Sequence, residues 1–407
     1  MAVPDKYKQL GEFYKYYTGE MTAPVLTIII GGNHEASNYL WELYHGGWLA
    51  PNIYFLGHAG CLQVNGIRIA GASGIFKSQD FHQGHLERLP YTASSMRSIY
   101  HIREYNVRRL SLLSSPHIFL SHDWPQGIEH HGDTRGLIRR KPFFRRDIDT
   151  GNLGSPPLMH LLRTLKPAWW FAAHLHVRFE ALFTHDAGPS LNNEPPPATV
   201  HNPDEIVIED IDEPDAAPST EAVVVEKDAS EPVSQSAPRI NPDEILLDDE
   251  EEQIIDVESD PEFGETSPPI LSYDPEWLAI TRAFQPFFSL TRHQPPFPKE
   301  AQAWAMIEKE LEWVKQNVGK KLAADDAHVS RPAFWRVDSC QKFAMTAPGP
   351  GQEGGPKHQQ PPLYANPQTD AFADMLEIEN KIAPRAAQSS RLAAGPSTTQ
   401  AAARSVG

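Results

Sequence analysis

The sequence predicts an α/β protein, because short β-branched runs alternate with segments of helical spacing and three of those runs end in histidine-bearing turns. The first is Thr27-Ile28-Ile29-Ile30-Gly31-Gly32-Asn33-His34-Glu35, where an apolar run stops at two glycines before an amide, an imidazole and a carboxylate. Apolar runs of this length bounded by glycine read as buried strands. In α/β sheets, chemistry collects at the carboxyl ends of such strands. Gly31 and Gly32 permit the sharp turn that projects Asn33 and His34 beyond the sheet edge.

Taken in order, residues 1–23 are aromatic and polar and suggest one helix with no site chemistry. A strand over 25–30 precedes a helix over 36–44, whose N-terminal N–H groups would lie beside His34. Strands follow over 53–56 and 67–71, the latter entering Gly71-Ala72-Ser73-Gly74-Ile75-Phe76-Lys77. Residues 73–90 have little periodicity and much Gly, His and charge, a long loop of the kind that carries function in compact domains. A helix is predicted over 94–113, with Met96, Ile99, Tyr100, Val107 and Leu110 toward one side. A strand over 117–120 leads into Ser121-His122-Asp123-Trp124-Pro125, and Arg139-Arg140-Lys141-Pro142-Phe143-Phe144-Arg145-Arg146 is a basic stretch. Ser155 caps a helix through Leu165. A strand over 168–173 runs into His174-Leu175-His176, with 177–183 as its hairpin or sheet partner.

Beyond residue 186 the chain changes character. The net charge is +4 through Asp186 and −21 thereafter, while 14 of 18 histidines lie before residue 188. The overall −17 therefore describes the tail and does not exclude a polyanionic substrate for the His-rich part. Residues 201–265 hold 23 carboxylates against Lys227 and Arg239, a composition expected to be disordered. Asn202-Pro203-Asp204-Glu205-Ile206 recurs there as Asn241-Pro242-Asp243-Glu244-Ile245. Order is expected to return at Tyr273-Asp274-Pro275-Glu276-Trp277-Leu278, a capped helix start. An amphipathic helix over 300–318 presents Trp304, Ile307, Leu311 and Val314, and 366–378 suggests one more short helix. Cys61 and Cys340 are too few for a disulfide framework, and no apolar stretch is long enough for a bilayer. These features point to a soluble protein of the cytosol or nucleus.

His174 and His176, two apart at a strand end, are expected to point to one face and suit a transition metal. His122 and Asn33-His34 repeat the arrangement at two other strand ends, which a bland core does not explain. Ser121-His122-Asp123 is no catalytic relay, because adjacent strand residues face opposite ways. Such a donor set meets the needs of two-metal phosphoester hydrolysis, with an imidazole to protonate the departing oxygen.

Gly32-Asn33-His34-Glu35, His122 and Ala173-His174-Leu175-His176 resemble the last three motifs of calcineurin-like metallophosphoesterases. Together with Gly71-Ala72-Ser73-Gly74-Ile75-Phe76-Lys77, Arg97-Ser98-Ile99-Tyr100-His101 and Ser121-His122-Asp123-Trp124-Pro125, they resemble the RNA lariat debranching enzymes in particular. The resemblance implies a metallophosphoesterase-type β-sandwich flanked by helices over 1–186. It extends to a small helical C-terminal domain over 269–380, while composition gives the acidic, Pro-rich disordered segment over 187–268 and a disordered tail over 381–407. It also implies hydrolysis of the 2′,5′-phosphodiester at the branchpoint of excised introns, and so a nuclear place in mRNA splicing via the spliceosome and intron turnover. Asn33, His122 and His174 would hold one metal, His176 would belong to a second, and His34 would be the acid toward the leaving 2′-oxygen. Iron, zinc or manganese would fill the two positions. Lys77, His82, His85 and Arg97 would contact RNA phosphates and 2′-hydroxyls from the recognition loop.

The family's opening Cys-x-His-Gly and Gly-Asp motifs do not occur upstream of Asn33. The expectation is a sheet lacking its first strands and a Met1 internal to a longer protein, or else a catalytically inactive relative that binds RNA or partners. A generic phosphoprotein phosphatase is a third choice. Separately, Ile206-Val207-Ile208-Glu209-Asp210 and Ile254-Ile255-Asp256-Val257-Glu258 resemble SUMO-interacting motifs, which add a strand to a sheet edge.

Overall fold

Among the described residues two β-sheets form, and the apolar runs noted above supply strands of both. A computed structural model describes residues 11–185, 268–324, 335–352 and 360–383. A short helix, α1 (Phe13–Tyr17), precedes β1 (Thr27–Ile29), α2 (Ser37–Glu42), β2 (Gly47–Ala50) and β3 (Ile53–Phe55). In the first sheet β3 lies between β1, which it meets in parallel, and β2, which it meets antiparallel. The second sheet comprises β4 (Ala59–Val64), β5 (Ile67–Ala72), β6 (Ile118–Ser121), β7 (Trp169–Ala172) and β8 (Leu271–Tyr273), in the order β7-β6-β5-β4-β8.

Register in the second sheet sets up the site. Strands β5, β6 and β7 run parallel, with Ala72 opposite Ser121 and Ser121 opposite Ala172. Their carboxyl ends are therefore level, and Ser73, His122 and Ala173 leave the sheet side by side. Gly71 lets the first sheet's chain approach closely: a Cβ there would lie 2.9 Å from Leu56 Cδ2 and 3.1 Å from Ile30 Cγ2.

Among the described residues nine helices follow β3: α3 (Ser78–Phe81), α4 (Ala93–Ser98), α5 (Glu104–Leu110), α6 (Thr134–Arg140), α7 (Arg145–Thr150), α8 (Pro156–Leu165), α9 (Pro275–Phe284), α10 (Glu300–Ala324) and α11 (Pro367–Leu376). The single helix expected over 94–113 is two, because the chain between them pairs with the loop after β5. His101 bridges Ile75, and the Ile102 N–H donates to the Ile75 carbonyl at 2.9 Å. The partner strand expected over 177–183 does not form; the segment makes one isolated pairing, Ala181 with Gly132. Ser155 does open α8, but its hydroxyl makes no capping bond. Asp274 and Asn366 do cap, accepting from the Trp277 N–H at 3.0 Å and the Gln368 N–H at 3.1 Å.

The described residues after 268 pack with those of 11–185 in one compact unit. β8 extends the second sheet beside β4. Arg68 on β5 clamps the carboxylate of Asp274 with two N–H groups, at 2.7 and 2.9 Å, and reaches Glu276 at 2.6 Å. Gln368 on α11 holds β2 from both sides of Trp48, accepting its N–H at 2.7 Å and donating to its carbonyl at 2.9 Å. One apolar cluster accordingly runs from Trp41 and Tyr54 through Phe119 and Leu158 to Phe284 and Phe372. The acidic segment, its repeat and both SUMO-like motifs lie outside the described residues, as does the tail from 384. No described helix is long and apolar enough to cross a membrane.

Three imidazoles sit inside this core. His58 stacks on Tyr44 at 4.8 Å and His45 on Phe372 at 5.3 Å. The Tyr44 hydroxyl donates to Asn106 Oδ1 at 2.7 Å, so His85 Nε2, 3.2 Å away, must donate to it. Burial, then the Arg109 charge for His45 and the Arg103 charge for His58 and His85, pushes His45 and His58 down to about 3 and His85 well below its ordinary range.

Two outcomes follow. Arg68→Met strands a buried Asp274 carboxylate and should lower the unfolding free energy in urea by on the order of 3 kcal/mol. The buried imidazoles refuse protons that the unfolded chain accepts below about 6.5, so each removes stability as pH falls from there toward 3. His45→Phe keeps the stacking on Phe372 and should flatten the decline of unfolding free energy over that window relative to wild type.

Candidate metal centre

The level strand ends bring Asn33, His122 and His174 together. Asn33 Oδ1 lies 2.9 Å from His122 Nε2, which lies 3.1 Å from His174 Nδ1. Ser73 joins the two sheets at this point: its hydroxyl accepts the Gly31 N–H at 3.0 Å and donates to the Gly57 carbonyl at 2.7 Å. The Gly74 N–H donates to the Gly31 carbonyl at 2.8 Å. The turn that carries Asn33 is thereby fixed to the end of β5. Gly32 makes room for the imidazole, since a Cβ there would sit 2.6 to 3.0 Å from three atoms of the His122 ring.

The donor chemistry fits a transition-metal ion. Burial, then the neighbouring imidazoles of His174, His34 and His176, pushes His122 down to about 4. His174 falls to about 4 through burial, then His176, His34 and Lys77. Both rings are neutral at pH 7 and offer lone pairs. One N–H can serve only one of the two short contacts well, which leaves electron-rich atoms facing one another. Ligands at right angles on bonds of about 2.1 Å stand about 3.0 Å apart, the spacing seen here. Among the described residues no group of three or more His, Cys, Asp or Glu is gathered for an ion. The third donor here is an amide, and no carboxylate joins it.

The backbone reaches this arrangement by a route that strand alternation did not anticipate. β7 ends at Ala172, and His174 and His176 both adopt left-handed φ values of +61° and +47°. They are brought near each other by a tight turn. His176 is exposed and makes no hydrogen bond with the three donors. His34 is exposed at the mouth of the site, its Nε2 3.3 Å from Asn33 Nδ2, so one amide touches both His122 and His34.

The residues expected on the recognition loop divide. Lys77 is half-buried and close enough to depress His174. His82 is 65% exposed and pairs with Glu104 at 2.8 Å, and Arg97 is exposed. His85 is corrected: at 1% exposure it has no surface for RNA and is a core residue bonded to Tyr44. The loop itself is pinned from beneath by Arg103, which is fully buried. Arg103 donates to the Asp80 carbonyl at 2.7 Å, to Glu87 at 2.6 Å and to the Ser98 carbonyl at 3.0 Å. From the other side the C-terminal region holds it, through His85 N–H to the Ser289 carbonyl at 3.0 Å and Gly84 N–H to the Arg292 carbonyl at 3.3 Å.

Two contributors were missed at the level of sequence. Asp123, beside His122, is buried and accepts the Phe76 N–H at 3.2 Å and the Trp124 N–H at 3.0 Å, tying the Lys77 loop to the end of β6. Burial raises it to about 6, against those N–H groups and Lys77. Glu35 accepts the Gly32 N–H at 3.1 Å and steadies the glycine turn. Only the acidic type next to a candidate ligand signalled Asp123. Ser121 is absent from the chemistry, as expected: its hydroxyl donates to the Asp123 carbonyl at 2.7 Å.

Gly32→Ala should push the His122 ring off Asn33. Zinc or manganese uptake measured by calorimetry should weaken at least about tenfold, while the melting temperature changes little because the site lies at the sheet edge.

Comparison with known proteins places the chain. The pattern of the lariat debranching enzyme C-terminal domain matches residues 252–381. The lariat debranching enzyme of Schizosaccharomyces pombe is 37% identical over 417 residues, covering 94% of this chain and 87% of that protein. That of Drosophila melanogaster is 42% identical over 395 residues, covering 94% and 69%. The human enzyme is 44% identical over 292 residues, covering 72% of this chain and 46% of its own length. With donors gathered at level strand ends and similarity running through both described halves of the fold, the chain belongs to the lariat debranching enzyme family.

Proposed function

We propose that this chain hydrolyses the 2′,5′-phosphodiester at the branchpoint of excised intron lariat RNA, and so acts in intron turnover after splicing. The observation that carries the reading is the convergence of Asn33, His122 and His174 in a member of this family. A nuclear location follows from that substrate. The comparisons offer nothing in favour of an inactive relative.

In this reading Asn33, His122 and His174 hold one metal ion and His176 contributes to a second position; iron, zinc or manganese suits this donor set. When bound, such ions polarise phosphoryl oxygens and lower the pKa of a coordinated water. The chain's own groups do the rest. Asn33 and Gly32 set the His122 ring, and Asp123 keeps the Lys77 loop against it. Lys77 supplies positive charge beside His174, where a phosphate would lie. His34, exposed and one residue from Asn33, delivers a proton to the leaving 2′-oxygen. Arg97 and His82 lie on the same loop system and favour phosphates and the 2′-hydroxyls that distinguish RNA.

A 2′,5′-branched RNA should be cleaved, and a phosphoserine peptide should not; the reverse preference would make the chain a phosphatase. His34→Ala should lower turnover of branched RNA by about 10²–10⁴-fold while leaving its binding in place. Unchanged turnover would remove His34 from the acid role. Chelation should abolish turnover, and metal analysis of the restored protein identifies the ion.

A further inference from the structure

The basic stretch over 139–146 is not needed by the centre just described, yet its structure is specific. It caps a small lobe with its own core of Trp124, Leu137, Phe144, Ile148 and Leu153. Phe144 is buried in that core at 6% exposure, while its neighbour Phe143 stands 66% exposed on the same tight turn. The Phe143 ring is braced edge-on against Phe144, with centroids 4.6 Å apart and planes at 70°. It is an aromatic surface held against the lobe by Phe144 and left largely open to solvent.

Cations flank it in the chain. Lys141 Nζ lies 5.9 Å from the ring centroid. Arg140 is held in place by donating to the Arg178 carbonyl at 2.9 Å. Arg145 and Arg146 are exposed and form no ion pair among the described residues. Arg139 is 76% exposed, and its nearest carboxylate, Asp133 at 4.0 Å, already caps α6. From Asp133 to Asp149 six cations face three carboxylates. A lone exposed phenylalanine needs no explanation. One fixed at the centre of a mutually repelling set of cations does, because both features cost stability and neither serves the lobe's packing.

The lobe is also joined to the metal centre. Trp124, two residues after His122, donates its indole N–H to the Ala173 carbonyl at 2.8 Å. Leu175, between His174 and His176, packs against the lobe core, as does Val177. The lobe that carries Phe143 is thus continuous with the strand ends that carry His122 and His174.

We propose that the face formed by Arg139, Arg140, Lys141, Phe143, Arg145 and Arg146 is a second RNA site, which takes unpaired nucleotides flanking the scissile linkage. A base stacks on the open face of Phe143, and the cations follow the adjoining phosphates. Recognition is of single strands, since a base inside a duplex cannot present its π-face to a protruding ring. The ligand's being RNA rests on the function proposed above; the site itself is tested without cleavage.

The probe is a fluorescein-labelled linear single-stranded RNA of about a dozen nucleotides, read by anisotropy against the full chain. Phe143→Ala should raise Kd about tenfold. Arg145→Ala/Arg146→Ala should also weaken binding and flatten the slope of log affinity against log salt by about 1.4, roughly 0.7 for each lost phosphate contact. All three side chains are exposed, so melting temperatures should match wild type. Unchanged affinity of Phe143→Ala overturns the stacking site. So does tighter, Phe143-dependent binding of anionic lipid vesicles, which would make the face a membrane contact. If the wild-type chain fails to cleave branched RNA yet binds the linear probe through Phe143, the debranching reading falls and this one stands.

Discussion

Everything at the centre depends on two pieces of backbone from different sheets lying closer than side chains would ordinarily allow. Ser73 takes the Gly31 N–H and gives its own proton to Gly57, and Gly32 then leaves a gap that the His122 ring fills. Neither sheet alone makes the site. β6 supplies His122 from the middle of one sheet, and the end of β1 supplies Asn33 from the edge of the other. A displacement of a few tenths of an ångström at the seam therefore acts directly on the donor spacing.

Around this seam the charged groups that fix positions are buried and hydrogen-bonded to backbone. Arg103 spends its guanidinium on two backbone carbonyls and Glu87, and Asp123 spends its carboxylate on two N–H groups. Lys77, Arg97 and His34 ride on the scaffold these make. Burying a cation such as Arg103 is costly, and three of its bonds offset that cost although its Nε has no partner among the described residues. A loop rich in Gly, His and charge thus has a defined shape without an apolar core of its own.

The sequence revealed the strands with most certainty where the apolar run was long and the ending abrupt. Residues 118–121 and 169–172 were found, and with them His122 and His174. It revealed the helix starts at Asp274 and Asn366 because the capping residue precedes a proline in each case. It misled where a tertiary bond overrode local preference. The helical pattern over 94–113 continues through Ile102, but the Ile75 carbonyl takes that residue's N–H and breaks the helix. His85 read as loop surface because nothing local shows that Tyr44 and Phe288 enclose it. β8, three residues long, carries no periodicity from which to infer it, and its partner β4 lies about two hundred residues earlier.

That last pairing bears on how the protein is made. The Trp48 backbone is bonded to a side chain 320 residues later, and Arg68 awaits a carboxylate 206 residues later. On the ribosome, the first sheet emerges long before α11 and β8 exist, with β4 lacking an outer neighbour and a guanidinium without its counterion. Chain closure over such distances is slow, and the waiting sheet edges are open to wrong partners. A polypeptide cut short before residue 376 would carry the donors Asn33, His122 and His174 but lack the part of the core that α11 completes.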